Sequence, residues 1–215
     1  MSTALILTTC GRRHYLERSL ESLHANCAET FAHRIMVDDS GDPEFSAWLR
    51  STFIGWTVLS HGMRAGLAAA VETAWDAVRR TDAEWIFHIE DDFTYTRTVP
   101  VAAMRLALES DPTLAQVTLY RQPWSPAERV AGGYLRDGRW TETDSVCGYE
   151  LHTDGGLFSF NPTLYPRQIV DECIGGLEAD VTRQLHGWKF GVLSGPSESP
   201  LCWHIGAERS AGWSR

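Results

Sequence analysis

The chain has 215 residues with 28 acidic and 19 basic side chains, and its formal net charge of −9 at pH 7 opposes a general polyanion-binding role while leaving room for a local basic patch. A hydrophobic content of 43% suffices for a real core and excludes a disordered chain, and the length suits a single domain. No stretch nears the roughly 20 apolar residues of a bilayer span, and Met1 to Cys10 lacks the basic start and apolar run of a secretory signal, so a soluble, cytoplasmic protein is expected.

Ala4 to Thr9 is a short apolar and β-branched run that predicts a buried strand. After Gly11, the apolar positions Leu16, Leu20, Leu23 and Cys27 recur at helical spacing. Arg34 to Val37 predicts a second strand, which runs into the turn formers Asp38, Asp39, Ser40, Gly41, Asp42 and Pro43. A short helix around Phe45 to Leu49 and a strand at Trp56 to Leu59 follow, then a glycine-containing connection from His61 to Gly66. Leu67, Val71, Ala74, Trp75 and Val78 share one face of the next helix, and Glu84 to Ile89 predicts a fourth strand that stops at Glu90, Asp91 and Asp92.

The second half is less regular. A helix near Val101 to Glu109 and a strand at Leu114 to Tyr120 precede a long loop-rich section from Arg121 to Gly148. Patterning resumes at Leu157 to Phe160, with a helix from about Leu177 to His186 and a strand at Phe190 to Leu193. Cys10, Cys27, Cys147, Cys173 and Cys202 are odd in number and widely spaced, the pattern of reduced, packed thiols rather than a disulfide framework or zinc site.

Alternating strands and helices predict an α/β fold with a mainly parallel sheet flanked by helices, in which ligands bind outside the carboxyl ends of the strands. Three adjacent carboxylates at such an end repel one another, and a divalent cation offsets them. Glu178 and Asp180 open a helix whose positive end favours ionised acids, and they stand two residues apart, so both cannot face one substrate. Read alone, the same acids are helix-capping or turn residues.

Several separated stretches together resemble the GT-A fold glycosyltransferases of family 2, the inverting nucleotide-sugar enzymes. Thr8 to Leu23, TTCGRRHYLERSLESL, is similar to the family's opening strand and helix, with Gly11 where asparagine is usual. VDDSGD at Val37 to Asp42 resembles its VDDGSxD segment, Glu90 to Asp92 its DxD motif, and LEADVTRQL at Leu177 to Leu185 its acceptor-side helix.

The resemblance implies a GT-A, Rossmann-like single domain with a donor half of about 1–95 and an acceptor half of about 96–215. It implies nucleotide-sugar contacts from Thr8, Thr9, Arg12, Asp38, Asp39, Arg64, Gly66, Glu90 and Asp91, with Asp39 on the nucleobase, Arg12 on the pyrophosphate and Arg64 on a base carbonyl or a phosphate. Asp92 and His204 are the implied ligands of Mn2+ or Mg2+. Glu178 stands in the position of the base that takes the acceptor hydroxyl's proton, with Asp180 as the other candidate. Gly155 and Gly156 are the implied acceptor-binding residues, and Trp124 is a further acceptor-binding candidate because an aromatic face suits a sugar ring or an unstacked base.

The implied partners are a UDP- or GDP-sugar and a hydroxyl acceptor: a glycan, a protein, a small molecule or a modified nucleic-acid base. Duplex DNA is opposed by the overall charge and supported only by Arg121, Arg129, Arg136 and Arg139 among the aromatic residues Trp124, Tyr134 and Trp140. Two alternatives remain open. A noncatalytic sugar-nucleotide or carbohydrate-binding module would keep the fold, and a nucleotidyltransferase shares the architecture but opens with a glycine-rich loop where TTCGRRHY has one glycine.

Overall fold

Every residue of the first strand, β1 (Thr3–Thr9), is buried, which requires apolar layers on both faces and places it inside a sheet. The computed structural model describes residues 2–123, 140–154 and 156–206. Helix α1 (Arg13–Asn26), strand β2 (His33–Asp38), helix α2 (Pro43–Thr52), strand β3 (Thr57–Ser60), helix α3 (Leu67–Arg79) and strand β4 (Trp85–Glu90) then alternate as the sequence predicts. Helix α2 is longer than its apolar pattern. Asp42 caps it by accepting from the Glu44 and Phe45 backbone N–H groups, and Pro43 supplies the first turn.

Next come β5 (Phe93–Thr94), α4 (Val101–Ser110), β6 (Leu114–Leu119), β7 (Glu142–Val146), β8 (Tyr149–Asp154) and β9 (Thr163–Pro166). The described chain ends with α5 (Arg167–Glu172), α6 (Glu178–Gln184), β10 (Lys189–Ser194) and β11 (Trp203–His204). One nine-stranded sheet has the order β3-β2-β1-β4-β9-β6-β10-β8-β7, and β11 and β5 form a separate pair. The first four strands are parallel, β9 is antiparallel to both β4 and β6, and β10 is parallel to β6. The sheet is therefore mixed and mainly parallel, as expected.

Strand periodicity of two sorts the core into two layers. Leu5, Leu7, Met36, Phe87 and Ile89 pack with α1, α2 and α4 on one face. Ala4, Ile6, Ile35, Val37 and Ile86 pack with α3, α5 and α6 on the other. Among the described residues no helix is long and apolar enough to cross a membrane.

The section read as loop from Arg121 to Gly148 contains a strand. Four of the five residues of β7 are exposed, so no apolar alternation announces it. Pairing with β8 creates it, through a two-residue turn at Cys147 and Gly148 with φ values of 54° and 82°. Cys147 is exposed there rather than packed, while Cys173 and Cys202 are buried. Strands β8 and β9 and helix α5 likewise lack a sequence signal.

Beneath the sheet's carboxyl end, His88 is fully buried. The Trp75 indole N–H reaches the Tyr165 hydroxyl at 2.9 Å, and that hydroxyl lies 3.1 Å from His88 Nδ1. In these buried surroundings the charged form of the imidazole is disfavoured. Burial pushes its pKa down to about 3 from 6.5. The unfolded chain therefore takes up a proton near pH 6.5 that the folded chain refuses, and stability from this group falls as pH drops from 6.5 toward 3. His88→Gln, which does not titrate, is expected to lose stability with acid less steeply over that window, by about 1 kcal/mol per pH unit in urea denaturation. An unchanged slope would exclude His88 as the cause.

Candidate active site at the carboxyl end of the sheet

The turn after β4 is built around Asp91, which is 1% exposed. Its Oδ2 accepts from the Thr9 hydroxyl at 2.7 Å and the Cys10 N–H at 3.4 Å, and its N–H donates to the Thr8 carbonyl. Its Oδ1 meets the Arg12 guanidinium. The middle acid thus ties β4 to the loop between β1 and α1. Thr9, Asp91 and Arg12 form one network, whose role within the chain is to seat the arginine.

Arg12 Nη2 also lies 2.8 Å from Asp92 Oδ2. The same oxygen lies 3.2 Å from His204 Nε2. His204 arrives from 112 residues away through the β5–β11 pair and is held by Gln122, whose side-chain amide brackets its backbone with bonds of 2.8 and 3.0 Å. Burial acts to raise the Asp92 pKa, but His204 and Arg12 outweigh it and hold the carboxyl below its ordinary value. Burial and Asp92, Glu178 and Asp91 together push the Glu90 carboxyl well up, against the pull of Arg12. Glu90 and Glu178 are therefore close enough for their charges to act on each other although 88 positions separate them in sequence.

Glu178 enters from the first turn of α6. Its Oε1 accepts from the Ser159 hydroxyl at 2.9 Å and the Phe160 N–H at 2.7 Å. Among the described residues its Oε2 accepts no hydrogen bond. Ser159 is set in turn by the buried Gln116, whose Oε1 accepts from the Ser159 N–H at 3.2 Å. Asp180 faces away. It accepts from the Leu177 N–H at 3.2 Å, closing the helix cap, and pairs with Arg183 at a largely exposed position. The loop before α6 is tied to α3, because Glu72 accepts from the Gly175 N–H.

The loops after β2 and β3 complete the crevice. Asp38 is wholly buried, with Oδ1 on the Ser40 N–H and Oδ2 on the Ser46 hydroxyl, so its carboxylate braces α2. Asp39 accepts from the Ala65 and Gly66 N–H groups at 2.7 and 2.8 Å and lies 2.9 Å from His61 Nδ1. Its two oxygens secure the turn that begins α3, where Gly66 has a φ of 91° that favours glycine. Arg64 is exposed and donates to the Cys10 carbonyl at 3.2 Å, bridging two loops over the crevice. Gly156 is half-buried between β8 and β9. Trp124, Tyr134, Gly155, Arg129, Arg136 and Arg139 lie outside the described residues.

Among the described residues no three His, Cys, Asp or Glu side chains form a cluster able to hold a metal by themselves. Asp92 and His204 fit a cation that takes its other ligands from a substrate, since hard cations are often bound through one or two carboxylates plus phosphate oxygens. Two observations support the fit. Asp92 Oδ1 is buried and has no hydrogen-bond partner among the described residues. A side chain at position 206 would crowd both donors, because a Cβ there would lie 2.2 Å from Asp92 Oδ2 and 2.9 Å from His204 Nε2.

No protein-family model and no curated protein sequence matches the chain, but solved structures share its fold. Residues 1–349 of S. aureus TarS in complex with UDP-GlcNAc align with a TM-score of 0.63 and 13% identity, covering 98% of this chain and 60% of that one. GalNAc-T7 with UDP, GalNAc and Mn2+ aligns at 0.61 and 12% identity over 100% of this chain and 45% of its own. The mannosyltransferase PcManGT from Pyrobaculum calidifontis, in complex with GDP-Man and Mn2+, aligns at 0.58 and 15% identity over 98% and 58%. The architecture is thus the one these glycosyltransferases share, and the chain spans about half the length of each.

Sequence reasoning missed Ser159, Gln116, Gln122, Gly206 and Glu72. Of these only Gly206 carried a local signal, as a glycine closing the segment CWHIG. Asp91→Ala leaves part of the Arg12 charge uncompensated, and is expected to lower unfolding free energy by about 3 kcal/mol in urea denaturation. Asp171→Asn, which breaks the surface pair with Arg167, serves as control with a change of about 0.5 kcal/mol or less.

Proposed function

We propose that the chain is an inverting glycosyltransferase that moves a sugar from a nucleoside diphosphate sugar, of the UDP or GDP class, to a hydroxyl acceptor. The observation that carries this reading is Glu178, with one carboxylate oxygen fixed by Ser159 and Phe160 and the other without a hydrogen bond among the described residues, close enough to the acidic turn to raise the Glu90 pKa. Such a carboxylate is what transfer needs and a noncatalytic module does not. The fold shared with TarS, GalNAc-T7 and PcManGT supports the same class.

In this mechanism the donor lies across the loops that carry Arg12, Arg64 and Gly66, in the half up to about residue 95, and the acceptor lies against the other half. Glu178 takes the proton of the acceptor hydroxyl as its oxygen bonds to the anomeric carbon, from the face opposite the diphosphate. The anomeric carbon to oxygen bond breaks, and its electron pair leaves on the diphosphate. Asp92 and His204 hold Mn2+ or Mg2+, which when bound offsets the charge that gathers on the leaving group. Arg12 adds a positive charge beside it. Asp180 is assigned to the helix cap.

A screen of UDP- and GDP-sugars with Mn2+ or Mg2+, with products read by mass spectrometry, tests the proposal. Glu178→Gln is expected to lower transfer by about 10² to 10⁴ while nucleotide binding persists, and Asp180→Asn to change it about threefold or less. Full activity in Glu178→Gln would remove it as base, and a screen in which no sugar moves would favour the binding module.

A further inference from the structure

We infer that Arg12 is a built-in counter-cation that holds Asp92 until a diphosphate arrives, so that the acidic turn takes up a divalent cation jointly with nucleotide and poorly without it. The inference rests on the metal reading above and adds an order of binding to it. Asp92 Oδ2 is the atom on which both charges converge, with Arg12 Nη2 at 2.8 Å and His204 Nε2 at 3.2 Å. A cation entering there alone meets a positive charge already seated on its carboxylate, in surroundings where Asp92 is 91% buried by side chain and screening by water is slight.

Arg12 has a second hold that makes release feasible. Asp91, fixed by the Thr9 hydroxyl and the Cys10 N–H, keeps the guanidinium when Asp92 lets go. The arginine can therefore pivot on Asp91 and swing from Asp92 toward an anion. It sits immediately ahead of α1, whose first N–H groups also favour negative charge. A diphosphate supplies that anion, and its arrival frees Asp92 for the metal. A permanent strut would show no such linkage.

The test measures Mn2+ binding directly, by electron paramagnetic resonance of free Mn2+ and by calorimetry, with and without UDP or GDP. Wild type is expected to bind Mn2+ at least about tenfold more tightly when nucleotide is present. Arg12→Ala is expected to bind Mn2+ alone about tenfold more tightly than wild type and to show a smaller nucleotide effect. Arg12→Gln keeps a hydrogen bond to Asp91 without the charge, and is expected to behave like Arg12→Ala even if the latter folds poorly. If both variants bind Mn2+ alone no better than wild type, while all three bind it tightly with nucleotide, the counter-cation role is overturned and the metal reading stands. If Mn2+ binds none of them with either nucleotide, both fall.

Discussion

A carboxylate with 1% of its surface exposed is costly in a fold unless it is met by hydrogen bonds and an opposite charge, and Asp91 is met by both. The consequence reaches well beyond one residue. To satisfy Asp91, the chain brings the end of β1, the start of α1 and the end of β4 to a single point. Burial raises the Asp91 pKa and Arg12 pulls it back. Once Arg12 is anchored, the buried Asp92 and its neighbour Glu90 stand beside a positive charge. The acidic turn is therefore part of the fold's own charge balance before any ligand is considered.

The opposite wall is organised by a different economy. Gln116 is a buried amide on a central strand, an expensive choice unless its groups are used. Its Oε1 holds the Ser159 N–H, and its Nε2 donates to the Thr118 hydroxyl at 2.8 Å. Ser159 then fixes Glu178. On the far side, Glu72 on α3 holds the loop that leads into α6, and Arg79 on the same helix donates to the Val170 and Cys173 carbonyls. The helix that begins at Gly66, beside the crevice, thus also braces the helix that presents Glu178.

The first half of the fold was legible because each element there buries one clean face. Leu16 and Leu23, or Val71, Ala74, Trp75 and Val78, repeat at helical spacing, and β1, β2 and β4 are apolar runs that end in turn formers. Strand β7 was not legible, since its residues face water and its existence depends on β8. Within the site, the acids announced themselves by their place after a buried strand. Their partners did not. The bond from Gln122 to His204 spans 82 positions and the contact of Arg12 with Asp91 spans 79, and nothing in local spacing encodes such meetings. Asp38 and Asp39 illustrate the converse: their location was readable, but the backbone and hydroxyl donors that occupy them were not.

One nine-stranded sheet runs beneath both walls of the crevice, with β9 hydrogen-bonded to β4 on one side and to β6 on the other. A cleft carved over an unbroken floor has no hinge line at its base, because opening it like a pair of jaws would break the main-chain pairing of β9 with β4 or β6. Entry and exit of anything the crevice holds must then be governed from above, by the connections that rim it, and the floor serves as a rigid anvil against which those connections set.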